Sequence, residues 1–555
     1  MTVISDPAGP GEFAIDLEIF RFGLEQIAGE MVVSILRSAR SVAAIDSLDF
    51  STALLDPSGQ LVAQGPCSPF HLAALSTAWR GMRTRIASFA PGDIYLFNDP
   101  YLGGMHLPDL IMFMPAFAAG QLQAFAAVLM HQTDIGGRVP GGVAADSKTI
   151  FEEGLRLPPV TIARDGILDA ALLSVIAANV RVPDHVTGDI EAMAAGCRSA
   201  SKLVAELVDE RGTDWFQSRC RQLIAYSRAI TVSAIRALPP GPFTFEDALD
   251  DDGVSSEPVR IAASIRFDTR LGRMTVDLSG SSDQRPCALN ATPAVVRSCC
   301  VLALIASIAE EVPLNEGVLQ QIDLITRKGS IFDPEFPAAV GGRGITAFRL
   351  IDVLFGAMAQ ARPERIRAAG EGGSAILTIG GVEHGQPFVY FDVMSGSWGG
   401  GPDDDGVDGI STPGVNMQNT PVEVVEAEYP ITITRYEYVS GTGGSGQHRG
   451  GLSLAREIVY EGSAPAVLQV RSDRTKIAPY GLHGGQPGLP GRVLMRRRDS
   501  PDWEPLPSKV TMEIFPGDAV RVETAGGGGW GPAAARNETE IARDQADGKT
   551  YSRPG

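Results

Sequence analysis

Several things that this 555-residue chain lacks narrow what it can be. Basic residues are few: 47 against 66 acidic ones, a net charge of −19. A field of that sign repels nucleic acid and anionic membrane surfaces, so neither is an expected partner. Paired cysteines are absent. The six cysteines lie far apart except Cys299 and Cys300, and none makes a C-x-x-C pair. They read as reduced, largely buried thiols of a cytoplasmic protein. No stretch approaches the roughly 20 apolar residues of a membrane span. Residues 1–11 have no basic region followed by an apolar one, so no secretory signal is expected. The chain also has no G-x-x-x-x-G-K-[ST], which removes a Walker-type ATP site, and no G-x-S-x-G, which weakens a serine-hydrolase reading.

What is present is an ordinary globular composition, 44% apolar and 20% charged, on a length that suits several domains. Residues 15–42 carry Ile19, Phe20, Leu24, Ile27, Met31 and Ile35 at helical spacing. Phe50 to Leu55, a turn at Asp56-Pro57-Ser58-Gly59, and Leu61 to Ala63 read as a hairpin. Residues 71–88, 166–235, 294–310 and 344–361 read as helical; 94–97, 110–117, 123–130 and 257–280 read as strands. Glycines, 63 in all, crowd the loops and the part after residue 375. The expected fold is α+β and multidomain, with mixed helices and sheets. It divides into residues 1–240, a metal-binding α+β domain; 241–375, a central α/β region; and 376–555, a Gly-rich, β-rich region with a short tail. The first boundary rests on Leu238-Pro239-Pro240-Gly241-Pro242. Gly441 to Gly446 spells G-x-G-x-x-G, but a β-like segment follows, so a loop is expected there and not a dinucleotide site.

The chemistry concentrates between residues 93 and 159. His106-Leu107-Pro108-Asp109 and His131-Gln132-Thr133-Asp134 are both His-x-x-Asp, and they flank a hairpin whose turn centres near Gly120. Residues that pair in an antiparallel hairpin have a constant index sum, here 240. Asp109 is then predicted opposite His131, and His106 opposite Asp134. Two imidazoles and one or two carboxylates at one hairpin mouth suit a divalent transition metal. The same polar residues also suit a solvated or capping role, and a one-residue slip would change which side chains meet. His71, His185 and His384 have no partner that the sequence identifies, and a structural role is expected for each.

Longer segments carry a resemblance. They are Asn98 to Asp109, His131 to Gly142, Phe151 to Pro159, Asn179-Val180-Arg181, Pro313 to Gly317, Gly443 to Gly451, Arg471-Ser472-Asp473-Arg474 and Gly526 to Pro532. In this order they resemble the signature of the hydantoinase B/oxoprolinase family over nearly the whole chain. The resemblance implies a catalytic beta subunit of an ATP-dependent amidohydrolase acting on a hydantoin, 5-oxoproline or another lactam. It implies a metal, Zn or Mn, on His106, Asp109, His131 and, in Asp49-Phe50-Ser51, Asp49. Asp134 is left as a further ligand, an orienting group or the catalytic acceptor of a water proton. The resemblance also implies a hetero-oligomer with a hydantoinase A/oxoprolinase-type subunit that holds ATP with Mg and phosphorylates the substrate carbonyl. Two rivals stand beside this reading: a subunit of an acetone or acetophenone carboxylase, and a noncatalytic scaffold with a structural metal. One departure is Met193 after Gly188-Asp189, where relatives often carry Gln.

Overall fold

The computed structural model describes residues 10–373 and 375–550. Its N-terminal half is built on a seven-stranded antiparallel sheet. In spatial order the strands are Leu61–Gln64, Phe50–Leu55, Gln121–His131, Asp109–Ala118, Ile94–Phe97, Val160–Arg164 and Ile167–Leu168. The two longest form the predicted hairpin. Asp109 pairs with His131 and Ala116 with Ala124, at the expected index sum. A bulge then shifts the register, so that Ala118 meets Gln121. The turn closes on Ala119 and Gly120, both at positive φ (49° and 73°), the combination that matches the twist of the flanking strands.

This hairpin is buried on both faces, which explains why its strands are apolar almost without interruption. Leu110, Met112, Val128 and Met130 face the helix Pro183–Arg211 and share one core with its Cys197 and Val204 and with Leu24 and Met31 of the helix Pro10–Leu36. Ile111, Phe113, Phe125 and Leu129 join the opposite core with Val296 and Cys300 of the helix Pro293–Ser307 and Phe348 and Leu350 of the helix Arg343–Ala361. That second core runs across the turn at residues 238–242 without a break and reaches Ile261, Ile265 and Val276 of a four-stranded sheet, residues 243–325.

Three expectations are corrected here. Ile19 lies 65% exposed although Phe20, Leu24, Ile27, Met31 and Ile35 are buried, so the core stripe of the first helix is narrower than its apolar count. The helix Arg343–Ala361 is long and apolar enough to cross a membrane by length and composition, contrary to the expectation that no segment is. It is apolar all round because it is a core helix, with 83% of that window inside the protein. The helix expected over 71–88 shortens to Ala74–Met82, and residues 83–88 turn irregularly.

The C-terminal part is β-rich, as expected. One four-stranded sheet has the order Gln386–Met394, Ala375–Glu383, Ala466–Arg471, Lys509–Ile514. A five-stranded sheet contains Ile431–Val439, Ser453–Tyr460, Ala519–Glu523, Arg492–Arg496 and Glu504–Leu506. Their facing sides share a core that includes Tyr390, Leu468, Ile514 and Val520. The terminal glycines thread between backbones: a Cβ at Gly528 would lie 2.0 Å from the Tyr480 carbonyl oxygen. The first C-terminal sheet closes over the mouth of the long hairpin, and that junction makes the site.

Candidate functional site

Three acceptor-capable atoms meet where the hairpin opens. His106 Nε2 lies 3.1 Å from Asp109 Oδ1 and 3.2 Å from His131 Nδ1, and His131 Nδ1 is 3.2 Å from the same Asp109 oxygen. All three residues are buried, and no other described group of three or more His, Cys, Asp or Glu side chains converges as a metal site would require. The Nδ1–H of His106 donates to the Gly341 carbonyl at 3.0 Å. A carbonyl only accepts, so this bond fixes the tautomer and leaves Nε2 a bare lone pair. Burial, reinforced by the charge of Arg343, pushes the His106 pKa down to about 3, so the ring is neutral. Burial would raise Asp109, but the histidines and Arg343 hold it well below the usual carboxylate range. Arg343 donates to Asp109 Oδ2 at 2.6 Å.

These three atoms can all present lone pairs to one point, as the ligands of a cation do. Donors about 2.0–2.1 Å from one tetrahedral cation lie ~3.3–3.4 Å apart, close to the spacing found here. The residues therefore fit a divalent transition metal. Asp49 lines the same cavity just outside the tight trio, with its carbonyl accepting from His131 N–H at 3.0 Å.

The cavity has a volume of about 60 Å³. At ~30 Å³ for each water of the liquid it has room for about two water-sized groups. Its walls come from distant parts of the chain: Gly341 to Ile345 at the start of the Arg343 helix, Ile376, Phe391 and Val393 of the C-terminal sheet, Val415 and Met417 of a loop, and Arg471. The Phe391 ring lies 5.1 Å from that of His131 and shields it.

His71 also lines the cavity, a place for which its sequence neighbourhood carries no motif. Its Nδ1 is 2.7 Å from Ser51 Oγ, and that oxygen accepts from Ser68 N–H at 3.2 Å. With the Ser51 hydroxyl proton directed to Nδ1, the imidazole proton would sit on Nε2. Burial lowers the His71 pKa, so this ring too is neutral. The one signal for it in the sequence is Ser51, two residues beyond Asp49.

The expectation for Asp134 is corrected. The index sum sets it opposite His106, but it does not line the cavity. The ladder ends at His131, and the chain turns away through Gly136 at φ 79°, where a Cβ would stand 2.2 Å from the Asn179 carbonyl oxygen. The Asp134 carboxylate accepts from the N–H groups of Gly136 (3.0 Å), Gly141 (2.9 Å) and Arg181 (2.7 Å) and from Arg181 Nη1 (3.0 Å). It fastens the 132–142 loop to the Asn179-Val180-Arg181 segment.

Two other motif residues are supports. Asn98 donates to the carbonyls of Leu107 and Leu155 and accepts from Leu157 N–H, which holds the His106 loop. Glu153 accepts from Gly341 N–H at 2.7 Å and Val340 N–H at 3.1 Å, and so fixes the carbonyl on which His106 rests. Burial, partly offset by these two bonds, pushes Glu153 up to about 8.

The Hydantoinase B/oxoprolinase family model matches residues 14–533. The chain belongs to the hydantoinase B/oxoprolinase family. A putative D-/L-hydantoinase B-type subunit of Pseudomonas sp. (strain NS671) is 29% identical over 552 residues, covering 96% of this chain and 92% of that protein. The ATP-dependent caprolactamase of Pseudomonas jessenii superposes with a TM-score of 0.90 at 25% identity, covering 98% of this chain and 95% of that one. A nucleotide-free acetone carboxylase chain shares the fold, with a TM-score of 0.88 at 18% identity, over 97% of this chain and 78% of that one.

Proposed function

We propose that this family member is the metal-dependent hydrolytic subunit of an ATP-dependent enzyme that opens a cyclic amide, in complex with an A-type subunit that phosphorylates the ring carbonyl. The observation that carries this reading is the convergence of His106, Asp109 and His131 in one buried cluster that lines a cavity. Both the hydantoinase and the caprolactamase among its relatives are named for ring amides, which supports the substrate class.

An amide carbonyl is a poor electrophile, and attack on it needs an activated oxygen and an activated carbon. His106, Asp109 and His131, with Asp49 beside them, would hold a divalent cation, whose chemistry would be to lower the pKa of a water molecule. The chain's own residues prepare the rest. His106 stays neutral and correctly oriented through Gly341. Arg343 keeps Asp109 ionised. His71, pinned through Nδ1 by Ser51, offers its Nε2–H as a donor to an oxygen of the substrate. Phe391, Phe348 and Val393 wall off bulk water. With no phosphate-cradling Lys-Ser/Thr loop in the sequence, carbonyl phosphorylation is assigned to the partner.

The test is to co-express the chain with its A-type partner and measure ATP turnover and ring-opened product with hydantoin, 5-oxoproline and caprolactam. One of these rings should support both signals. A complex that uses none of them and instead fixes bicarbonate onto a ketone would replace this reading with the carboxylase one.

A further inference from the structure

Buried arginines in this protein have partners. Arg343 holds Asp109, Arg349 holds Asp473, Arg449 holds Asp408 and Asp544, Arg456 holds Asp392, and Arg474 holds Asp352. Arg471, three residues before Arg474, is the exception. It is only 4% exposed, it lines the cavity of His106 and His131, and its Nε is buried without a hydrogen-bond partner. Its side chain makes no hydrogen bond or ion pair among the described residues. Glu153 is the carboxylate whose charge it feels, but both Glu153 oxygens are taken by the backbone of Val340 and Gly341. Burial, with the like charge of Arg343 nearby, lowers the Arg471 pKa to about 9, which leaves the guanidinium protonated at neutral pH.

A buried, charged, unpaired guanidinium is costly and calls for an anion. The same cavity receives the first turn of the 19-residue helix Arg343–Ala361, through Gly342, Arg343, Gly344 and Ile345. The N–H groups of Gly342, Arg343 and Ile345 already donate to the carbonyls of Ala288, Val340 and Gly342, so this end of the helix contributes chiefly through its dipole, which favours negative charge. We propose that Arg471 and this helix N-terminus form a phosphoryl subsite beside the His106–Asp109–His131 cluster, one that takes the phosphate oxygens of a carbonyl-phosphorylated substrate. The site would hold the activated ring with its carbon next to the water that attacks it. The assignment of the phosphoryl group to a substrate rests on the hydrolytic reading above; the anion site itself does not.

The experiment uses the full chain loaded with zinc or manganese, and inorganic phosphate as the probe, with acetate as the carboxylate control. Phosphate should raise the thermal midpoint of the wild type saturably. Arg471→Gln should weaken apparent phosphate affinity at least tenfold. Without phosphate it should melt no lower than the wild type, because no protein partner is lost. Should Arg471→Gln fail to fold, Arg471→Met, which keeps the buried stem, carries the same expectation. Phosphate affinity unchanged in the folded variant would overturn the proposal, since the metal alone would then be the anion's holder. Acetate binding through Arg471 as tightly as phosphate would also overturn it, in favour of a carboxylate site. Metal content measured on the same samples separates the two readings. Arg471-dependent phosphate binding in a chain that holds no metal sinks the hydrolytic reading alone; a metal-loaded chain indifferent to Arg471 sinks this subsite alone.

Discussion

His106 and His131 differ from other buried histidines in what surrounds their ring nitrogens. Each faces an anionic oxygen and another imidazole, and His106 Nε2 is left as an acceptor once its Nδ1–H is committed to Gly341. His106→Ala and His131→Ala should each remove the metal and leave far-ultraviolet circular dichroism unchanged. Elemental analysis of the purified variants checks this, and full metal retention in both would rule out the assignment. A pH effect follows from His106 itself. Its folded pKa is about 3, whereas an unfolded histidine titrates near 6.5. Between those values the unfolded chain binds a proton that the folded one does not, so stability falls as pH drops through 6.5. The metal-free protein should lose urea midpoint from pH 7 to pH 5, and His106→Gln should lose less. Equal slopes would contradict a neutral, buried His106. At this scale the sequence discloses the candidate ligands because His-x-x-Asp is local. It does not disclose His71 or Arg471, whose places depend on contacts with residues far along the chain.

The hairpin is the element that brings the candidate ligands together, and its register is legible. Two apolar strands and one glycine turn fix an index sum, and that sum sets Asp109 against His131. The same arithmetic misplaces Asp134, because pairing rules stop where the ladder stops. Past His131 the positive-φ glycines bend the chain out of the sheet plane, and Asp134 becomes the anchor of a loop. Asp134→Ala should therefore act on stability rather than on the metal. Removing a buried carboxylate that holds three N–H groups and a guanidinium should cost about 3 kcal/mol. Urea denaturation should show that loss with metal content intact. A variant as stable as the wild type that loses its metal would return Asp134 to the site. Among the helices, Arg343–Ala361 is legible in extent but not in role. Its apolar residues build the core, while its N-terminal turn, contributed by Gly341-Gly342-Arg343-Gly344, forms the cavity wall.

Over the whole molecule, the α+β, multidomain character and the β-rich C-terminal part follow from glycine and strand patterning. The closing of the C-terminal sheet over the hairpin mouth does not, because no local pattern encodes which surfaces meet. That closure makes the cavity, and it explains why motif segments scattered from Asp49 to Arg471 converge on it. In the proposed reaction the chemistry is divided between two chains: carbonyl phosphorylation in the partner, water attack here. The most direct measurement of that division is made on the complex of the partner with Asp109→Ala, following assembly, phosphate release and ring-opened product in one preparation. The complex should assemble, lack the metal, keep substrate-dependent phosphate release and lose product by at least a hundredfold. Normal product formation by a metal-free Asp109→Ala complex would contradict the account.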